Sequence, residues 1–260
     1  AERQGLSRGD ASSMRLTIIG SGDAFGSGGR LQTCFHVDTG EGCFLVDCGA
    51  TALIGLNRFG IDPNTVSHIY ITHLHGDHFA GLVWFLMHSN YKSKRRDPLT
   101  IAGPPGIEER YLATTEVLFP KSSTVERGYD VHFVEYEIGR PQSIGQALLT
   151  AYEVSHPSGA PSCALRLEVG EKVLSYSGDT EWVESLVPCA SGADLFIAEC
   201  YSYDKPVPYH TNWVTLLPNL ARLGAKRVLI THMNDQMLAR QEEARAAGVL
   251  LAEDGLVIDF

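Results

Sequence analysis

Four residues within a span of six, His73, His75, Asp77 and His78, form the pattern His-x-His-x-Asp-His. Three imidazoles and a carboxylate packed so closely make poor core material, because each must be hydrogen-bonded, paired or bound to a metal once it leaves water. Imidazole nitrogens and carboxylate oxygens without nearby thiolates suit zinc, and also manganese or iron, better than calcium or magnesium. The spacing accommodates two adjacent ions, with His73 and His75 facing one and Asp77 and His78 facing the other. The competing explanation is a polar loop with incidental histidines, which the flanking sequence disfavours. Residues 66–71 are β-branched and aromatic and read as a buried strand, whereas residues 79–87 read as the start of an apolar helix. A strand end, a tight loop containing Gly76 and a helix would hold the ligands on rigid elements and leave a mouth open to solvent.

His-x-His-x-Asp-His after a strand resembles the signature of the metallo-β-lactamase superfamily, and candidates for the later ligands of that family follow in order. They are His156 in Val-Ser-His-Pro, Asp179 in Ser-Gly-Asp-Thr and His232 in Ile-Thr-His-Met, each after a strand-like run. The resemblance extends from about Met14 to the C-terminus. It implies an α+β fold, an αββα sandwich of two packed mixed β-sheets with helices on the outer faces. Periodicity alone gives only mixed α and β. It also implies that His73, His75 and His156 hold one ion, that Asp77, His78 and His232 hold a second, and that Asp179 lies between them. Two divalent ions so placed would leave room for a bridging hydroxide, which suits hydrolysis. The resemblance gives Asp77 a second role in orienting that hydroxide and gives Asp47 a supporting role through hydrogen bonds to the metal loop.

Asp179 resembles the phosphodiesterase, glyoxalase and lactonase branches more than the true β-lactamases. Glu199, in Ala-Glu-Cys, and His210, in Tyr-His-Thr, resemble elements of ribonuclease Z-like enzymes and their cyclic-phosphodiesterase relatives. A glutamate stabilises the charged form of a histidine that it holds, so His210 could clamp a phosphate oxygen or protonate a leaving alkoxide. His210 as a mere cap of the following helix is the blander alternative. Residues 99–106 resemble another ribonuclease Z-like segment. The tRNA-processing members carry a long arm between the positions of His156 and Asp179, where this chain has only a hairpin. The expected substrate is therefore a small cyclic or linear phosphodiester, nucleotide or RNA-like, with long-arm tRNA binding disfavoured. An acyl-ester hydrolase, a lactonase or thioesterase on the same metals, is the alternative, and a non-catalytic metal-stabilised binding protein is a third.

The elements that must position these residues can be read coarsely. The chain has 260 residues, 44% of them hydrophobic, enough for a sizeable core. Residues 1–13 are polar and read as a disordered extension or expression remnant, leaving residues 14–260 as one hydrolase domain. No apolar run approaches the ~20 residues that span a bilayer. A net charge of −10 argues against a surface built wholly for nucleic acid. Six cysteines without a Cys-x-x-Cys pair point to a reduced, cytoplasmic compartment. A homodimer would fit the family but nothing in the sequence establishes one.

Strands are predicted at residues 15–19, 33–38, 43–47, 99–102, 131–136, 148–154, 163–169, 172–176, 194–198 and 227–231, and helices at 53–59, from 106 to about 119 and at 211–223. The glycine-rich turn at residues 20–30 is either a phosphate-holding nest or a plain tight turn; no helix-forming stretch follows it, against a dinucleotide fingerprint. The basic run at residues 90–97 is a polyanion guide or, more commonly, a solvated loop. His36, His68, His88 and His132 read as structural or surface groups, and Trp84, Phe85 and Met87 as core. Tyr201, Tyr203 and Tyr209 either line the pocket or simply pack.

Overall fold

The computed structural model describes residues 13–260. The extension expected over residues 1–13 thus lies, apart from Ser13, outside the described residues. Strands β1 (Arg15–Gly20), β2 (Cys34–Asp38), β3 (Cys43–Val46), β4 (Val66–Tyr70), β5 (Leu99–Gly103) and β6 (Val131–Glu135) lie side by side in chain order. A second sheet runs in the same manner through β7 (Pro141–Ile144), β8 (Ala147–Val154), β9 (Ser162–Val169), β10 (Lys172–Tyr176), β11 (Leu195–Glu199), β12 (Val228–Thr231) and β13 (Leu250–Leu251). Strand β14 (Val257–Asp259) returns to pair with β1, giving two seven-stranded sheets among the described residues. Each sheet is antiparallel at one side and parallel at the other, with β3 to β6 parallel in the first and β10 to β13 parallel in the second.

Helices α1 (Ala52–Arg58), α2 (Gly76–Phe79), α3 (Gly81–Met87) and α4 (Ile107–Leu118) cover the first sheet. Helices α5 (Leu186–Ala190), α6 (Trp213–Leu216), α7 (Leu220–Leu223), α8 (Asp235–Ala239) and α9 (Gln241–Ala246) cover the second. The middle layer, between the sheets, is filled from both sides by Leu16, Phe35, Val37, Phe44 and Tyr70 against Leu149, Leu165, Leu174, Tyr176 and Ile197. Each such side chain stabilises the fold by about 1.5–3 kcal/mol through removal of apolar surface from water. Phe35 meets Tyr176 edge to face with centroids 5.1 Å apart, and Tyr70 donates its hydroxyl to the Ile144 carbonyl at 2.7 Å, so the sheets are locked in position as well as packed. This is the αββα sandwich that the metal motif implied.

The predicted strands all form, within one or two residues. The helix expected over residues 211–223 is broken into α6, a 3₁₀ turn at Leu217–Asn219, and α7. Pro218 causes the break, since it has no N–H to donate and its ring crowds the preceding turn. Strands β7, β13 and β14 and helices α5, α8 and α9 are too short, or too weakly patterned, to have been read from the sequence.

Two glycines let the metal loop close onto its neighbour. A Cβ at Gly81 would stand 2.0 Å from the Gly49 carbonyl oxygen, and one at Gly49 would stand 2.3 Å from the Asp77 carbonyl oxygen. The close approach is used by hydrogen bonds from Cys48 N–H to the His78 carbonyl (2.7 Å) and from Gly81 N–H to the Cys48 carbonyl (2.9 Å). We expect Gly81→Ala to cost about 3 kcal/mol or more, because the obstructing atoms are backbone and cannot turn aside. Urea unfolding measures this, and a loss below about 1 kcal/mol would show that the loop yields.

Candidate active site

The candidate ligands are delivered by strand ends. Strand β4 ends two residues before Thr72-His73, β8 ends two before His156, β10 ends three before Asp179, Glu199 closes β11, and β12 ends at Thr231 beside His232. Strands β10, β11 and β12 run parallel, so their carboxyl ends, where side chains can leave the sheet, fall at one edge. Helix α2 adds Asp77 and His78, and His75 precedes it.

All seven residues proposed as ligands from sequence converge. Oxygen Oδ2 of Asp179 lies 3.2 Å from His78 Nε2, 3.3 Å from His232 Nε2 and 3.8 Å from both His73 Nε2 and His156 Nε2. Asp77 Oδ2 lies 3.2 Å from His78 Nε2 and 3.3 Å from His232 Nε2. His156 Nε2 faces His75 Nδ1 at 3.0 Å. These atoms fall into two groups small enough for one ion each, His73 with His75 and His156, and Asp77 with His78, Asp179 and His232.

The outward nitrogens are tied off, which fixes what points inward. His78 Nδ1 donates to Asp47 at 2.7 Å, His156 Nδ1 donates to the Tyr209 carbonyl at 2.9 Å, and His73 Nδ1 donates to the Thr72 hydroxyl at 2.9 Å. Asp47, fully buried, also accepts the Thr72 N–H at 2.7 Å and the Thr72 hydroxyl at 2.8 Å. Each bond selects the tautomer in which Nε2 is the lone-pair nitrogen whenever the ring is neutral. His73 Nε2 and Asp179 Oδ1 are accordingly buried with no hydrogen-bond partner. Orphaned acceptors in so dry a place are costly for a protein alone and suited to a cation. The residues present therefore fit a pair of divalent ions.

The proton affinities divide along the same line. Burial drives His73 well below the usual imidazole range and His156 down to about 4, so both are neutral donors. Burial opposes charge on His78 and His232 too, but the carboxylates of Asp179 and Asp77 outweigh it. They raise His78 well above the usual range and His232 to about 9. Against the same cost of burial, these imidazoles hold Asp77 and Asp179 below the carboxylate range. Without metal, protons on the second group balance its two carboxylates, and a divalent ion would replace them.

Beside the ligands, Glu199 is buried and accepts the Nδ1–H of His210, together with the Thr180 N–H at 2.9 Å and the Thr211 N–H at 3.3 Å. Burial would depress His210, but its bond to Glu199 raises it above the usual imidazole range. The His210 ring lies 4.9 Å from that of His156 and 4.8 Å from that of Tyr201. A cavity of about 330 Å³ opens over this cluster, lined by His75, Asp77, Asp179 and His210 and walled by Phe25, Tyr201 and Pro208. His36, His68, His88 and His132 are not among its lining residues.

Three residues other than glycine hold a positive φ here, Asp47 (58°), Tyr209 (66°) and His232 (62°). Each costs about 1–3 kcal/mol and persists because its surroundings over-determine it. Sequence reasoning passed over the Tyr209 carbonyl, since a backbone acceptor leaves no trace in residue identity, and over Phe25, which sits 83% exposed on the glycine-rich turn. That turn is not a free phosphate nest. Asp254 takes the N–H of Ser21, Asp23 takes those of Phe25 and Ser27, and backbone carbonyls take those of Gly22, Gly26 and Gly29. In the basic run, Arg95 is buried and donates to the carbonyls of Asp97, Val66 and Pro98, so it stabilises a loop and is unavailable to a polyanion. No helix among the described residues is long and apolar enough to cross a membrane.

Comparison with known proteins agrees with the fold. The sequence model of the family described as Anti-Pycsar protein Apyc1 matches residues 14–255. A ribonuclease Z of Methanothermobacter thermautotrophicus is 27% identical over 270 residues, spanning 85% of this chain and 87% of that protein. Among solved structures, the metallo-beta-lactamase fold protein YhfI of Bacillus subtilis superposes with a TM-score of 0.77 at 22% identity, covering 96% of this chain and all of that one. A diphosphatase from the PhnP family superposes at 0.75 with 21% identity, covering 95% and 98%.

Because His78 and His232 are held protonated at neutral pH in the metal-free protein, metal uptake should expel about two protons, and apparent affinity should rise with pH towards 9. Calorimetric titration of zinc into metal-free protein, in buffers of different ionisation enthalpy, measures the release. Binding heats that do not depend on buffer would contradict it.

Proposed function

The chain belongs to the Apyc1 family of metallo-β-lactamase-fold proteins, and we propose that it is a metal-dependent phosphodiesterase acting on a small cyclic or linear phosphodiester. His73, His75 and His156 would hold one divalent ion and Asp77, His78 and His232 a second, with Asp179 shared between them. Zinc is the first choice for such a donor set, and manganese or iron(II) would also fit. When bound, the ions supply Lewis acidity at the phosphoryl oxygens and lower the pKa of a water. Asp77, held ionised, lines the cavity and can orient the attacking water by accepting a hydrogen bond from it.

The observation that carries the reading is the Glu199–His210 pair at the wall of the cavity that contains the ligands. An attack on phosphorus expels an alkoxide, which needs a proton. A histidine whose Nδ1 is bonded to a buried glutamate has its protonated form favoured and can offer its remaining N–H to the leaving oxygen. A thioester has less need of such a donor, because a thiolate leaves readily without protonation, whereas a lactone also expels an alkoxide and is separated from a phosphodiester by assay. The interval between His156 and Asp179 contains only the β9–β10 hairpin, which favours a small substrate over a tRNA held by a long arm. The Methanothermobacter relative named ribonuclease Z keeps RNA-like phosphodiesters within the class to be screened.

His210→Ala should lower turnover of a phosphodiester with an alkoxide leaving group, such as a cyclic nucleotide, by roughly 10²–10⁴-fold. Bis(4-nitrophenyl) phosphate should lose much less, since nitrophenolate leaves without a proton. Turnover of the metal-reconstituted protein on both esters, beside a thioester and a lactone, makes the comparison. Unchanged alkyl phosphodiester turnover in the variant, or turnover of acyl esters alone in the parent, would refute the reading.

A further inference from the structure

Asp254 lies on the loop between β13 and β14, far in sequence from every candidate ligand except His232 and touching none of them. Its Oδ1 accepts the N–H of Ser21 at 2.9 Å and the hydroxyl of Ser21 at 2.8 Å, and its Oδ2 accepts the N–H of Leu31 at 2.8 Å. One carboxylate therefore clasps both ends of the glycine-rich turn. Ser21, fully buried, spends its carbonyl on the other side, accepting the His232 N–H at 3.1 Å and the Thr231 hydroxyl at 3.2 Å. His232 is the ligand whose own backbone is left-handed, at φ 62°, a conformation that needs external restraint. The loop carrying Asp254 is anchored in turn by the Gly255 N–H to the Ile18 carbonyl at 2.7 Å and the Ala252 N–H to the Ile230 carbonyl at 2.9 Å.

We propose that Asp254 is a positioning residue for the second ion, acting on His232 through the Ser21 peptide. The inference rests on the paired-ion reading above, and it is selective. Ser21 bonds to the His232 backbone, whereas the outer partners of His73 and His156 are Thr72 and the Tyr209 carbonyl. A carboxylate is a stronger acceptor than a neutral group, and its two oxygens match three donors without leaving any unpaired. Replacement by Asn keeps the shape but turns an NH₂ group towards an N–H or hydroxyl donor, so the clasp is lost on one side. Relaxation of the turn would then let the His232 backbone leave its strained setting.

The test is stepwise titration of metal-free protein with zinc by calorimetry, and with cobalt(II) by its visible absorption, which reports ligand geometry without reference to turnover. Asp254→Asn should weaken one of two equivalents by roughly 10–100-fold, the size of effect expected when a partner outside the ligand set is removed. The affected equivalent should be the one that persists in His156→Ala, and in a His232→Ala background Asp254→Asn should have no further effect. Ser21→Ala, which removes a single bond and should fold even if Asp254→Asn does not, should weaken the same equivalent several-fold and rescue the point. Equal weakening of both equivalents, or two unchanged equivalents, would overturn the positioning role. A parent protein that takes up one equivalent would instead overturn the paired-ion reading, and an affinity for that one ion unmoved by Asp254→Asn would overturn this inference as well.

Discussion

The rest of the molecule is organised around a problem of buried charge, since four imidazoles, those of His73, His78, His156 and His232, converge on the Oδ2 atom of buried Asp179, with His75 and Asp77 beside them. Nothing apolar could satisfy these groups, and an incomplete set would be worse than none, because each unpaired buried acceptor costs the desolvation it has suffered. The protein answers by fixing three of the rings from behind. Thr72, Asp47 and the Tyr209 carbonyl hold the far nitrogens of His73, His78 and His156, so ring orientation is decided before any ion arrives. Preorganisation of this kind requires rigid supports, and the strand ends of two sheets locked by a shared apolar core provide them. The sandwich can be understood as a means of bringing the parallel ends of β10, β11 and β12 opposite the end of β4.

Holding the groups there strains the backbone. Of the five residues other than glycine with positive φ among those described, Asp47, Tyr209 and His232 belong to the site, while Lys94 and Lys121 occupy turns. Each strained residue is held by bonds to a different element. Asp47 is gripped by the Thr72 N–H, and the Tyr209 carbonyl by His156. Gly49 and Gly81 perform the complementary task of letting two backbones approach until no Cβ would fit. Strain and close approach are thus concentrated at the centre, and the apolar layers on either side supply the stability that tolerates them.

How much of this could be read in the sequence depends on how local each determinant is. The His-x-His-x-Asp-His loop packs four chemical groups into six residues, and its spacing alone exposes it. His156, Asp179, His232 and the Glu199–His210 pair could be sought because the family resemblance implies them, each of the three ligands also following a strand-like run. The helix over residues 211–223 was misread because apolar periodicity continues through Pro218, although the helical hydrogen bonds cannot. The glycine-rich turn reads equally as a nest or a plain tight turn, and only the fold shows that Asp23, Asp254 and backbone carbonyls occupy its N–H groups. Asp254 itself was illegible: an aspartate in a loop is common, and its partner Ser21 is 233 residues away. Contacts made by backbone atoms, and by side chains across the whole fold, have no spacing rule to betray them.

Five of the six histidines in this small volume differ in their proton affinities, and this division gives the site its chemical reach. Burial without a nearby carboxylate strong enough to offset it keeps His73 and His156 neutral. Against the same burial, Asp179 and Asp77 hold a proton on His78 and His232, and the bond to Glu199 shifts His210 in the same direction. A cation entering this field would replace the protons of His78 and His232, since their Nε2 atoms face the same carboxylate oxygens that a cation would seek. His210 is different, because its Nδ1 is bonded to Glu199 and it lies at the cavity wall. Its proton can remain when the ions are bound, so one residue type can provide metal ligands and an acid within a few ångströms. The distinction comes from which carboxylate each ring faces.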